Sequence, residues 1–282
     1  MKNQVVSIES VIDYIETHLD GKVDLEMVAE AAHYSKYHLH RMFTNTVGMT
    51  IHDYVQRRQL TEAAKLLVFS DRPIIEVAFI CGYESQQAFS SAFKSMYKIP
   101  PAEYRDNREF YPLQLRFTLH RNVAHKVYTK DDICLAEKPD IPAWMDLMRL
   151  VIDGYPVMNE ADYLNSITKS IDEKRALVLK DGDILVGAMA FSGHSGCIDF
   201  LGINPQYRRI GIQKMFLDAL MERYLPGQEI SMTTYREGDK ADTGHRDLLK
   251  QLGFAERELL MEFGYPTQRF VLPPEYMEDI QE

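Results

Sequence analysis

Two spacings of hydrophobic residues divide this chain. Through about residue 108, apolar positions recur every three and four residues, the period of helices buried along one side. Ile8, Val11, Ile12, Ile15 and Leu19 form the first such stripe, with Ser7 as its predicted N-cap and Gly21 as its end. Asp24 is the predicted cap of a helix over 25–32. Ser35 opens another that runs to about Asn45, with Leu39, Met42 and Phe43 facing the core. Thr50 begins a long helix through Tyr54, Val55, Leu60, Ala63, Ala64 and Leu67, free of Gly and Pro until Pro73. Pro100-Pro101 and a short helix ending near Asp106 close this part.

The pattern is written twice. Val28 falls on Val77 and Tyr34 on Tyr83. After a one-residue insertion at Glu84, Ser35 falls on Ser85, Phe43 on Phe93 and Tyr54 on Tyr104. Each copy reads as a short helix, a tight turn and a second helix capped by serine. A helix-turn-helix pair of this kind fits its second helix into the DNA major groove. The linking helix, roughly 19 residues and about 28 Å long, is of a length to hold two such readers in successive grooves about 34 Å apart.

Beyond residue 130 the spacing is mixed. A strand is predicted at Cys134 and Leu135, then helices over 143–152 and 161–171. Strands over 176–179 and 184–191 flank Asp181-Gly182, a strong hairpin turn. A strand over 197–203, a helix over 209–224, a strand over 229–235 and a helix over 245–252 follow, then strands through Phe263 and over 270–272. The predicted fold class is therefore multidomain: an all-α double helix-turn-helix domain over 1–108, a linker over 109–130, and an α/β or α+β domain over 131–282. Within the linker, 113–119 alternates as a strand would.

Charge alters this picture only when its distribution is read. The formal net charge of −10 is wrong for a DNA binder. Residues 1–108, however, carry 12 basic and 14 acidic side chains, so the other 174 residues hold −8 of it. No Asp or Glu lies between Ala31 and His52, where Lys36, Arg41 and four histidines stand. None lies between Ser85 and Ala102, where Lys94 and Lys98 stand. Both acid-free windows cover the second helix of a repeat. Screening limits distant charges to about 8 Å at physiological salt, so the local face outweighs the sum. On the first of these helices Lys36, Tyr37, His40 and Arg41 lie opposite the apolar positions and are the candidate DNA contacts.

The first part resembles the AraC-type DNA-binding domain, above all its compact MarA/SoxS branch. The segments SKYHLHRMF, RRQLTEAAKLL, GYESQQAFSSAFK and IPPAEYR carry the resemblance. It implies double-stranded DNA as partner, base contacts from Tyr37, His40 and Arg41 on the first recognition helix, and contacts from Gln86, Gln87 and Ser91 on the second. Ser91 stands where the branch usually has Arg.

Phe200 to Lys214 leads from a strand through a turn into a helix, a junction whose backbone N–H groups suit a pyrophosphate. Gly211 permits close approach, and Arg208, Arg209 and Lys214 add charge. With Leu252-Gly253-Phe254 before the late strand, the order strand, Pro205, Arg208, Gly211, helix resembles the GNAT acetyltransferase superfamily. The resemblance implies acetyl-CoA, its pantetheine arm along Leu201 and Ile203, and its pyrophosphate on Arg208, Arg209, Ile210, Gly211, Ile212, Gln213 and Lys214. It implies as acceptor an amine, on a small molecule or a protein.

Two positions depart from that pattern. Gln213 replaces the usual Gly or Ala, and Leu249 replaces a Tyr that protonates the thiolate in many members. Tyr235, His245 or water remain as acids, and Asp199 or Glu229 as bases for the amine. No catalytic residue is assigned. Acetyl transfer and non-catalytic sensing of an acyl-CoA or metabolite both stay open, as does a less favoured reading in which the first part binds only protein. His38 and His40 point apart on a helix, and no Cys or carboxylate completes a metal site at suitable spacing. Three distant cysteines, no signal-like apolar core at the N-terminus and no 18-residue apolar run point to the cytoplasm and away from a membrane.

Overall fold

The computed structural model describes residues 2–120, 126–151, 159–262 and 264–274, with side chains at 5 and from 7 onward. These form two compact units that divide between residues 120 and 126.

The first unit is helical: α1 (Lys2–Glu16), α2 (Leu25–Ala31), α3 (Lys36–Val47), α4 (Ile51–Phe69), α5 (Ile74–Ile80), α6 (Gln86–Tyr97) and α7 (Pro101–Asn107). The caps explain where most of them begin. Asp24 Oδ1 accepts the N–H groups of Glu26 and Met27, both at 3.0 Å. The hydroxyls of Thr50 and Ser85 accept from Asp53 and Ala88, each at 3.1 Å, and Ser35 accepts from His38 at 3.4 Å. Each such cap is worth about 1 kcal/mol. Ser7 is a correction: it lies inside α1, which starts at Lys2, and its hydroxyl accepts from Tyr34 Oη at 3.0 Å. The stripe Ile8, Val11, Ile12 and Ile15 is fully buried, as its spacing requires.

The segment expected to begin the linker belongs to this unit. Residues 110–119 form no strand; they lie extended against α4, α6 and α7. Tyr104 Oη accepts the Tyr111 N–H at 2.8 Å, Tyr97 Oη that of Leu113 at 3.2 Å, and Thr61 Oγ1 that of Gln114 at 3.0 Å. The Phe117 ring stacks on Tyr54 with centroids 5.4 Å apart. The alternation over 113–119 is thus real, but side-chain hydroxyls rather than a neighbouring strand satisfy the backbone.

Beneath this segment sits a buried ion pair. Arg58 donates to Glu16 through Nε at 2.8 Å and Nη2 at 2.7 Å, to Glu62 at 3.0 Å, and to the Gln114 carbonyl at 3.1 Å. Tyr54 Oη donates to Glu16 at 2.7 Å. Burial pushes the Glu16 carboxyl up, but the hydrogen bonds from Arg58 and Tyr54 outweigh it, and the net shift is downward. A lowered carboxyl contributes stability that is present above its unfolded pKa of about 4.3 and lost as pH falls through the folded value. The helical unit is therefore expected to lose stability on acidification below about pH 4.3, and Glu16→Gln to flatten that dependence. Chemical denaturation followed at 222 nm from pH 6 to pH 3 checks it; equal slopes in both proteins would refute it.

The second unit is α+β. Strands β1 (Cys134–Leu135), β2 (Ala176–Asp181), β3 (Ile184–Phe191) and β4 (Ile198–Ile203) form an antiparallel sheet in sequence order. Strands β5 (Ile230–Tyr235), β6 (Ala255–Glu262) and β7 (Tyr265–Leu272) form a second, in the order β5-β7-β6. Helices α8 (Ile141–Val151), α9 (Glu160–Asp172), α10 (Ile212–Ala219) and α11 (His245–Gln251) complete it. The expected hairpin forms, with the Asp181–Ile184 pair closing a two-residue turn of Gly182 and Asp183, one residue later than expected, and with Gly182 left-handed at φ 58°. Ile152 and Phe263, included in expected elements, lie outside the described residues. The helix expected from 209 starts at Ile212, because Gly211 adopts φ 76°, and it closes in a π-helical turn over Leu220–Tyr224.

Among the described residues the two sheets meet at one parallel bridge, Cys197 with Ser231, where the Ser231 N–H donates to the Gly196 carbonyl at 2.9 Å. Past it β4 and β5 run on in the same direction as members of different sheets. The β4 edge on the β5 side is therefore unpaired among the described residues, beside the turn that leads into α10.

Candidate functional site

The repeat is physical as well as textual. In the first copy the Tyr34 N–H donates to the Ala29 carbonyl at 2.9 Å; in the second, Tyr83 donates to Ala78 at 3.0 Å. The preceding residue is left-handed in both, His33 at φ 57° and Gly82 at φ 78°. Glycine is needed only in the second turn: a Cβ on Gly82 would lie 2.6 Å from the Gly21 carbonyl oxygen, which already accepts from Gln59 at 2.8 Å.

On α3 the core face is Leu39, Met42, Phe43 and Val47, all buried. Lys36, Tyr37, His40 and Arg41 are exposed, Tyr37 at 90%. Such an aromatic, held out with no apolar neighbour to cover it, is placed for a partner rather than for the core. Lys36 is not a free cation, because its ammonium pairs with Glu26 at 2.5 Å. That pair is exposed on both sides and worth at most about 1 kcal/mol, so a phosphate competes with it readily. On α6 Phe89, Phe93, Met96 and Tyr97 face inward, while Gln86, Gln87 and Ser91 are exposed. The outward face of α3 thus carries cations and an aromatic, and the N-terminal half of α6 carries uncharged amides and hydroxyls.

In the second unit the turn after β4 is anchored from below. Tyr207 is fully buried and its hydroxyl donates to Asp181 at 3.4 Å. Burial, with the Asp181 charge beside it, pushes this phenol up to about 12. Arg208 Nε reaches back to the Ile203 carbonyl at 3.4 Å. Arg209, Ile210 and Gly211 are exposed at the crest. Gly211 is the N-cap of α10 and supplies no side-chain cap. The first-turn N–H groups of Ile212, Gln213 and Lys214 have no acceptor within the helix. No atom lies within 4 Å of where a Gly211 Cβ would stand, so the space beside them is open.

The other expected residues divide between backbone and side-chain roles. Ile203 and Ile212 are core, so only their backbone is available, and Leu201 is half-buried. Gln213 is 8% exposed, so its side chain does not stand in the solvent beside the turn. The Lys214 ammonium donates to both Asp218 oxygens at 2.9 Å, one turn along the helix.

Among the candidate acids and bases, Asp199 is exposed on β4, and desolvation raises its carboxyl against the opposing charge of Arg175. Glu229 lies 3.6 Å from Arg269. Leu249 is buried in the core and leaves no proton donor at its position. Tyr235 is held at the end of β5, where its carbonyl accepts from Arg246 at 2.9 Å. Sequence reasoning missed Tyr207 and Gly196, which set the turn and the sheet junction. Tyr207 had a signal, as an aromatic between Pro205 and two arginines; Gly196 had none, since its reason is a contact with residue 229.

The described helices include none long and apolar enough to cross a membrane. All three cysteines are free thiols, Cys81 buried and Cys134 exposed.

Comparison with known proteins bears on the first unit. A family model described as a helix-turn-helix domain matches residues 28–107. The multiple antibiotic resistance protein MarA of Escherichia coli K12 is 40% identical over 100 residues, which are 36% of this chain and 79% of MarA. The uncharacterized HTH-type transcriptional regulator YbfP of Bacillus subtilis is 38% identical over 99 residues, 35% of this chain and 34% of YbfP. This chain therefore spans about a third of that relative's length. Among solved structures, an acetyltransferase of the GNAT family from Bacillus cereus is similar at a TM-score of 0.39 and 18% identity, over 50% of this chain and 95% of that one.

Proposed function

The chain belongs to the AraC-type helix-turn-helix family, and on that premise we propose that it is a sequence-specific, DNA-binding transcription regulator whose second unit binds acetyl-CoA. One observation carries the DNA half: two helix-turn-helix units with equivalent turns, each holding its second helix with the apolar side inward and Lys36, Tyr37, His40, Arg41 or Gln86, Gln87 outward. Arg41 is assigned a base contact, since guanidinium pairs bidentately with guanine. Lys36 is assigned a phosphate.

Arg41→Ala is expected to cost about 1–3 kcal/mol on the preferred site and to relax specificity there. Lys36→Ala is expected to weaken all sequences alike and to lower the salt slope by about 1. Fluorescence anisotropy on selected and scrambled duplexes at several salt concentrations separates them. An equal loss on every sequence for Arg41→Ala moves that residue to the backbone.

The acetyl-CoA half rests on Gly211. An uncapped helix N-terminus, whose first-turn N–H groups have no acceptor within the helix, and the open space beside Gly211 suit a pyrophosphate. The unpaired edge of β4 beside it offers backbone groups to an amide-bearing arm. Transfer to an unidentified amine is the first reading. The second, sensing of an acyl-CoA without turnover, is favoured by Leu249, whose apolar side chain replaces the thiolate acid.

Acetyl-CoA at 100 times its Kd is expected to stabilise the protein by about 2.7 kcal/mol. Gly211→Val is expected to abolish that gain, while thiol release across an amine panel tells enzyme from sensor. Stabilisation that survives Gly211→Val would refute the cradle. No stabilisation of either protein would refute acetyl-CoA as ligand.

A further inference from the structure

Given the DNA-binding reading above, on which this rests, we propose that α3 and α6 divide the reading of one DNA site. Helix α3 supplies the charge-borne, salt-dependent share of the affinity, and α6 reads adenine through Gln87 without adding to that share. Both helices start from a capping serine, Ser35 or Ser85, so their positions correspond one by one. The inward side is the same in both: Leu39 and Phe89 are buried at one level, Phe43 and Phe93 a turn later. The outward side changes at every position. Gln86 stands at the place of Lys36, Gln87 at that of Tyr37, Ser90 at that of His40 and Ser91 at that of Arg41. Two amides and two hydroxyls replace two cations, an imidazole and a phenol. Burial does not account for the change, since Gln86, Gln87 and Ser91 are as exposed as the residues they match.

The charges nearest this face do not restore what it lacks. Lys94 is exposed, but it lies in the last turn of α6, about 10 Å along the axis from Gln87. A recognition helix meets base edges with its N-terminal residues, so Lys94 is at the wrong end. Glu84, the residue inserted in the second copy, places an exposed carboxylate just before the cap. Salt dependence arises when cations neutralise phosphates and release their counterions, and an amide or hydroxyl releases none.

What an amide offers instead is geometric. Its oxygen and its N–H stand side by side and match the amino group and N7 of adenine in the major groove. Register selects Gln87 over Gln86 for that contact. Gln86 is the first residue of its helix, as is Lys36, which is assigned a phosphate. Gln87 stands one turn before Ser91, as Tyr37 stands one turn before Arg41, the assigned base contact. The site is therefore asymmetric, with guanine before α3, adenine before α6, and the phosphate-neutralising side chains gathered on α3.

The test is fluorescence anisotropy of the full chain on a duplex selected from a random pool, with each base pair changed in turn and salt varied from about 50 to 200 mM. Gln87→Ala is expected to remove a preference of about fivefold or more for A·T at one position. It should leave the slope of log affinity on log salt as it was. Ser91→Arg, which sets a cation on the same face, is expected to steepen that slope by about 1. Both positions are exposed, and an unchanged far-ultraviolet spectrum shows that the variants fold. Preference unchanged at every position in Gln87→Ala, a slope that falls in it as far as in Lys36→Ala, or a slope unmoved by Ser91→Arg would each overturn the division. An unaltered chain that prefers no duplex would overturn the DNA-binding reading itself, and this inference with it.

Discussion

Arg58→Ala is expected to destabilise the helical unit by about 3–5 kcal/mol, more than the usual core substitution. The side chain is 9% exposed and Glu16 is 12% exposed, so the change leaves a carboxylate buried without its cation. It also leaves the Gln114 carbonyl without the Arg58 donor, loosening the segment that Tyr97, Tyr104 and Thr61 hold against the helices. With an m-value near 2 kcal/mol/M the urea midpoint should fall by about 2 M. The signal at 222 nm follows it, since this unit is built of helices. Replacing both charges, Glu16→Leu with Arg58→Met, is expected to recover at least half the loss, because a packed apolar pair costs less than half an ion pair. A shift below about 1 kcal/mol for Arg58→Ala would mean the pair is not buried in solution.

Gly196→Ala is expected to cost about 4 kcal/mol or more in the second unit, at the upper end for one substitution. Two penalties add there. Gly196 is left-handed at φ 63°, and its added Cβ would stand 2.1 Å from the Glu229 carbonyl oxygen, a backbone atom that cannot rotate away. Relief requires the strands to part, which breaks the Ser231 bond to the Gly196 carbonyl and the only described bridge between the sheets. Trp144, the single tryptophan, is buried in this unit and reports its unfolding by fluorescence. Gly182→Ala is the control: φ is 58°, no atom lies within 4 Å, and the backbone term alone costs about 1–2 kcal/mol. Equal effects at the two glycines would show that the close contact at the junction is absent.

Much of the helical unit was legible because its signals are local. Asp24, Ser35, Thr50 and Ser85 sit within three residues of the N–H groups they cap, and the stripe from Ile8 to Ile15 needs only a period to be read. The offset between Val28 and Val77 was visible as text, and the turn hydrogen bonds repeat it. Ser7 misled because a serine inside a helix looks like a cap until Tyr34, 27 residues away, takes its hydroxyl. The linker misled for a related reason: an extended segment reads as a strand or a spacer unless one knows that Tyr104 and Thr61 receive its backbone. At the candidate sites, residue types were readable and their engagements were not. Lys36 and Lys214 look alike as free cations, yet Glu26 and Asp218 hold them.

The sequence by itself determined the helix boundaries set by caps, the doubled helix pair with its outward polar face and the hairpin that follows Asp181. Each of these rests on interactions spanning a few residues, which periodicity and turn chemistry report. The tertiary structure alone decided that 110–119 joins the helical core, that Arg58 is locked to Glu16, and that the two sheets touch at Gly196 and then separate. Those outcomes depend on groups tens of residues apart coming within a few ångströms, and no local pattern records such a meeting.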